Sequence, residues 1–170
     1  MWSKLLVSAA ALVAFAAPAA AETVSIRPAS YAPDYMEELE ETYGLRESDA
    51  INAMVTSALR TALENVDATV ADTGALTIET TVIDAKPNKP TFQQLIDEPG
   101  LDYARSFGVG GATLHGVLRG PDGAVLQEID YRWYETDISW AASAGQWSDA
   151  RRAIRRYADR VAAAVAARGG

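Results

Sequence analysis

Apolar residues recur at helical spacing in two long stretches of this chain and at alternate positions in several shorter ones. Ile51, Met54, Val55, Ala58, Leu59, Ala62, Leu63 and Val66 form one stripe, which predicts an amphipathic helix over about Glu47 to Val66. Ser48 is its expected N-cap, and Asp49 falls where the positive end of a helix favours an acid. A second stripe is Ala150, Ile154, Tyr157, Ala158, Val161 and Val165. It predicts a closing helix over about Asp149 to Ala167, capped by Ser148 and ended by Gly169 and Gly170. The alanines of that helix predict close approach to a sheet.

Period-two alternation marks the strands. Val24 and Ile26 share a face over Thr23 to Arg27, and Pro28 ends this short strand, which suits a sheet edge. Leu76, Ile78, Thr80 and Val82 alternate over a strand from Leu76 to Ala85. Ala112 to Arg119 and Ala124 to Glu135 flank the turn sequence Gly120-Pro121-Asp122-Gly123, which predicts a β-hairpin. Pairing positions that sum to 243 sets Leu118 against Val125, Leu114 against Ile129 and Ala112 against Tyr131, all on one face. A slip of one would set Leu114 against Asp130.

Two connections remain. Tyr35, Leu39 and Tyr43 stand at helical spacing ahead of Gly44, which predicts a short helix there. Lys86 to Gly108 is a stretch of about twenty residues with a helical turn at Thr91 to Ile96. Connections of that length are often functional. The order β, α, β, long loop, hairpin, α predicts an α+β domain: a mostly antiparallel sheet of about four strands with two main helices packed on one face.

One apolar run shows neither period. Lys4, the run Leu5 to Ala17 and the small residues Ala19-Ala20-Ala21 have the anatomy of a signal peptide cleaved after Ala21. About thirteen apolar residues are too few to span a bilayer core of roughly 30 Å. The expectation is a leader at 1–21 and a single domain at 22–170, periplasmic or secreted. The chain contains no cysteine, so it carries neither disulfides nor a lipid-bearing cysteine. Its net charge of −8 disfavours non-specific contact with nucleic acid or anionic membranes.

Candidate chemistry is sparse. His115 is the single histidine, and the 243 register sets it opposite Glu128, with Asp130 one pair further along. A histidine held by a carboxylate can act as a general base, as in a small hydrolase or isomerase. No serine, cysteine or second histidine completes a nucleophilic set, so a cross-strand charge pair is the simpler reading, and no catalytic residue is assigned. One histidine without cysteine cannot build a zinc site, and the acidic runs Glu37 to Glu41 and Asp97-Glu98 lack calcium-loop spacing. Gly108 to Gly111 precedes a strand where a phosphate loop needs a helix. No metal or cofactor is implied.

Two surface features remain. Arg151, Arg152, Arg155, Arg156 and Arg160 fall on the outer side of the closing helix, with Asp149 and Asp159 as neighbours. They are candidates for an anionic partner: a lipid headgroup, an acidic polysaccharide or the carboxylates of another protein. Tyr131, Trp133, Tyr134, Trp140 and Trp147 cluster nearby in sequence. Tyr131 and Trp133 are expected in the core and Trp147 at the helix start, leaving Tyr134 and Trp140 as candidate recognition residues.

Three signatures then line up: Gly110-Gly111-Ala112 entering a strand, Pro121-Asp122-Gly123-Ala124-Val125-Leu126 turning into the next, and Trp147-Ser148-Asp149-Ala150 with Ala153-Ile154 opening the helix. Over this third of its length the chain resembles a group of poorly characterised secreted proteins and lipoproteins of the Gram-negative envelope. The resemblance implies a small periplasmic α+β domain with no established activity, and it carries over no functional residue. The absence of a lipid-attachment cysteine departs from many of those proteins. The expected function is therefore a non-enzymatic binding or scaffolding protein of the cell envelope. Its expected partner is an envelope protein or an anionic envelope component. The alternative is a hydrolase or isomerase using His115 with Glu128 or Asp130.

Overall fold

The computed structural model describes residues 22–168, so the expected leader and its expected cleavage after Ala21 lie outside the described residues. In chain order the strands and helices are β1 (Thr23–Ile26), β2 (Ser30–Tyr31), α1 (Pro33–Glu38), α2 (Arg46–Glu64), β3 (Thr69–Val70), β4 (Leu76–Lys86), α3 (Phe92–Asp97), β5 (Gly111–Arg119), β6 (Val125–Tyr134) and α4 (Ser148–Ala166). A π-helical turn, Leu39–Tyr43, extends α1, and a 3-10 turn, Ile138–Ser143, precedes α4.

The sheet has six strands and is mixed. Its order is β3-β1-β4-β5-β6, and β2 follows β1 along the same side of β4. β1 runs parallel to both β3 and β4, whereas β4, β5 and β6 are antiparallel. This corrects the expected four-stranded, mostly antiparallel sheet. The cause lies in the connection: α1 and α2 carry the chain from β1 and β2 back to the other end of the sheet, so the next strands run the same way. Alternation reports which face a residue takes, but not strand direction. β1 is also no edge, since the two-residue β3 covers it. Pro28 merely separates β1 from β2 along one side of β4.

The hairpin forms where expected, in a shifted register. Leu114 faces Tyr131, Ala112 faces Trp133 and His115 faces Asp130, so the pairs sum to 245. The reason is a bulge beside the turn: Arg119 pairs with Val125 while Leu118 pairs with Gln127, leaving Leu126 extra. A shift of two keeps parity, so Leu114 and Ile129 still face the core, while Val125 and Leu126 are turned out.

α2 and α4 pack on each other and share one core with the inner face of the sheet. Ile51, Val55, Leu59 and Leu63 of α2 and Ala150, Ile154, Tyr157, Ala158, Val161 and Val165 of α4 are buried, as their stripes predict. The caps fall one to three residues earlier than expected. Leu45 precedes α2, and the Ser48 hydroxyl donates back to the Leu45 carbonyl (2.7 Å). Trp147 precedes α4, and the Ser148 hydroxyl accepts from the Gly145 amide (2.8 Å). Tyr35, Leu39 and Tyr43 are buried in α1 and its π turn, which Gly44 ends at φ +93°, a conformation that favours glycine.

Inside the core, the Tyr157 hydroxyl bonds Thr80 (2.8 Å) directly above Gly116 of β5. A Cβ at Gly116 would strike that hydroxyl. We expect Gly116→Ala to destabilise the fold by roughly 1–3 kcal/mol, read as a lowered urea midpoint. Burial pushes the Tyr157 phenol up from 10.0 to about 12. The folded state thus holds this proton more tightly than the unfolded chain. The associated stability is whole below pH 10 and is lost as pH rises through 12. Denaturation midpoints measured across that window should fall for the native chain and fall less steeply for Tyr157→Phe.

Candidate functional site

Polar clamps fix the start of α4. Asn88, on the long connection, is 1% exposed. Its side chain donates to the Asp149 carboxylate and to the Gly108 carbonyl, and its Oδ1 accepts from the Asp149 amide (2.9 Å). The Gly110 amide also donates to Asp149 (3.0 Å). The backbone of Asn88 reaches both ways, donating to Gln146 O and accepting from Gly108 N. The connection of 86–108 is therefore tied at both ends, and Thr91 caps α3 within it by a reciprocal bond with Gln94. A second clamp joins the two long helices: buried Glu47 of α2 accepts from Trp147 Nε1 (2.8 Å) and Gln146 Nε2 (3.2 Å).

From that anchored start α4 runs beside β6 in the opposite direction. Arg152 bonds Glu135 (3.0 Å), Arg152 and Arg156 lie over the Trp133 ring (5.4 and 4.7 Å), and Arg160 lies over Tyr131 (4.7 Å). Near the helix end Arg168 donates to the Leu126 carbonyl (2.8 Å). The Thr136 and Asp137 amides, with a smaller share from Arg152, hold Glu135 below the usual carboxylate range.

Arg151 and Arg155 turn toward α2. They line a groove of about 720 Å³ between the two helices, with Arg152 and Arg156 also on its lining. The α2 wall is neutral: Ala50, Ala53, Met54, Ser57, Ala58 and Thr61. Asp159 is the one carboxylate on the lining. Among the described residues, Arg151, Arg155, Arg156 and Arg160 have no carboxylate within 4.0 Å. Asp149, a neighbour of the stripe in sequence, is buried in the Asn88 clamp.

The other candidates part company. Tyr134 is engaged within the sheet, where its hydroxyl donates to Asp84 and bonds Thr113 (3.0 Å) while Arg132 covers its ring (5.3 Å). Burial, then the bond to Asp84, raises its phenol well above the ordinary value. Trp140 is 75% exposed on the 3-10 turn and lines a hollow of about 290 Å³ with Glu135, Asp137 and Arg152, apart from Tyr134. His115 lies on the sheet face turned from the helices, and its Nδ1 meets Asp130 Oδ1 (2.8 Å). Glu128 faces Val117, not His115, because the bulge moves the register. None of these grooves is lined by His115.

Sequence reasoning missed Asn88 and Glu47, whose partners lie 61 and 100 residues away. Asn88 between two lysine-proline pairs was a visible turn signal, but not a visible partner for Asp149.

No family model matches the chain, and no curated protein matches it. Among solved structures, a Xanthomonas campestris protein of the DUF330 family is 15% identical, with a TM-score of 0.53 over 89% of this chain and 87% of its own. A PelC variant from Paraburkholderia phytofirmans, itself a dodecamer, is 11% identical, with a TM-score of 0.49 over 82% of this chain and 85% of its own. A minor lipoprotein from Acinetobacter baumannii is 8% identical, with a TM-score of 0.42 over 86% and 94%. The chain shares its fold with the DUF330 protein, an α+β fold as the resemblance implied. Among the described residues no helix is long and apolar enough to cross a membrane.

Asn88→Ala leaves the Asp149 carboxylate and the Gly108 carbonyl short of a donor inside the protein. We expect a loss of roughly 1–3 kcal/mol in urea denaturation. Faster tryptic cleavage at Arg105 should accompany it.

Proposed function

We propose that this protein is a non-enzymatic binding protein of the bacterial envelope that holds an anionic group in the groove between α2 and α4. The observation that carries this reading is the pair Arg151 and Arg155, which face a neutral wall and, among the described residues, have no carboxylate partner. Four residues apart on a helix, they stand about 6 Å apart along its axis, near enough to share one phosphate or carboxylate. The groove's apolar residues, Met54 and the alanines of α2, suit a neutral or apolar body attached to that anion. An acidic chain of net charge −8 that keeps guanidiniums unneutralised in one place favours a specific anion over general adhesion to anionic surfaces. The leader read from Lys4 to Ala21 supports an envelope location.

The test uses dodecyl phosphate below its micelle concentration, with dodecyl maltoside as the neutral comparison, followed by amide shifts along α2 and α4. The phosphate should bind and the maltoside should not. Arg151→Glu with Arg155→Glu should weaken binding about tenfold or more while the fold is retained. Equal binding of both detergents, or an unaltered affinity in the double variant, overturns the reading.

A further inference from the structure

The sheet ends at β6. β5 pairs with one side of it, and no strand among the described residues pairs with the other. The opposite edge strand, β3, is two residues long, whereas β6 has ten, and β6 contains neither proline nor lysine. Natural sheets usually guard an edge of this length with such residues, because its free N–H and C=O groups invite another strand. Here α4 lies along the edge instead. Arg152, Arg156 and Arg160 follow β6 from Trp133 to Tyr131, held over those rings, and three arginines at four-residue spacing repeat about every 6 Å. A strand added to β6 would point every second side chain toward the helix, at intervals of about 6.7 Å. The two repeats nearly coincide.

We propose that the free edge of β6 receives an extended acidic polypeptide segment of a partner protein. The segment pairs with β6 backbone to backbone and sets carboxylates at alternate positions against Arg152, Arg156 and Arg160. Main-chain bonds would supply the affinity of strand addition, and the guanidinium row would supply the selectivity. Charge decides the occupant. A second copy of β6 would turn Ile129, Tyr131 and Trp133 toward the helix side, none of them an acid, and would bring two arginine rows together. A lipid or polysaccharide has no peptide backbone to pair. This edge shares Arg152 and Arg156 with the α2–α4 groove but pairs through the β6 backbone, so the N-methylated peptide and the place of protection tell the two proposals apart.

The test is binding of a peptide as long as β6 that alternates threonine and glutamate, measured by titration and by amide hydrogen exchange in the native protein. Comparison peptides replace glutamate with lysine, or carry N-methyl groups on alternate amides at unchanged charge. The glutamate peptide should bind and slow exchange along 125–134, and both comparison peptides should fail. Arg156→Glu with Arg160→Glu should weaken binding about tenfold or more, with the amide spectrum reporting that the variant is folded. Absence of binding overturns the proposal, as does equal binding of the N-methylated peptide or protection confined to the α2–α4 groove. Concentration-dependent protection of β6 without peptide overturns it too, since the edge then belongs to a second copy.

Discussion

The arrangement of this molecule's surface depends on how closely α4 sits on the sheet. Gly116 removes a side chain from β5 where Tyr157 comes down, and Ala150, Ala153, Ala158 and Ala162 are all buried on the helix. Small residues on both sides let the backbones approach, and the Tyr157 hydroxyl then reaches Thr80 instead of being left unpaired. With α4 at this height, the guanidiniums of Arg156 and Arg160 end over Trp133 and Tyr131. Raising the helix by a methyl group would lift the arginine row off its rings. The packing therefore sets the electrostatics.

The two clamps at the start of α4 act on direction as the small residues act on height. Asn88 satisfies Asp149 from side chain and backbone, and Glu47 satisfies Trp147 and Gln146. Both carboxylates are buried, and a buried polar network is favourable only when its members are paired. Asp149 also stands in the positive first turn of α4, where a negative charge is stabilised. A helix held at one end and seated along its length has little freedom to roll. That rigidity turns Arg151 and Arg155 toward α2 and Arg160 toward β6, with Arg156 over Trp133 at the boundary between them.

How much of this was legible in the sequence follows from the range of each signal. The stripes of α2 and α4 are local, and their residues are buried as expected except Met54, Ala58 and Val66, which stay half-buried, the first two on the groove wall. The hairpin faces were legible because parity survives a shift of two. The register was not, because the bulge at Leu126 depends on how the turn closes. Strand direction was hidden, since Val24 and Ile26 alternate alike in parallel and antiparallel sheets. The two residues of β3 are too few to show any period. The arginine stripe was visible as a stripe, but its division into two sets requires knowing that Trp133 and Tyr131 lie beneath one side. Tyr134 and Trp140 looked alike in the sequence and differ because Asp84, fifty residues away, engages one of them.

Stacking on an aromatic ring leaves an arginine better placed to bind an anion, not worse. A guanidinium over Trp133 or Tyr131 is held by the ring's negative face, and for Arg156 and Arg160 the N–H donors, which lie in the guanidinium plane, are paired with no carboxylate among the described residues. Those in-plane donors are the ones a carboxylate takes two at a time. An ion pair with a neighbouring acid would have consumed them, as Glu135 does for one donor of Arg152. For Arg156 and Arg160 the aromatic ring fixes the side chain without occupying the donors, so less conformational entropy is lost when an anion arrives. The same logic ranks the five arginines. Among the described residues, Arg152 is partly committed to Glu135, Arg156 and Arg160 are held over rings without an acid partner, and Arg151 and Arg155 have neither an aromatic support nor an acid partner. An anion at the sheet edge therefore meets prepared donors, whereas one in the groove must order the side chains that bind it.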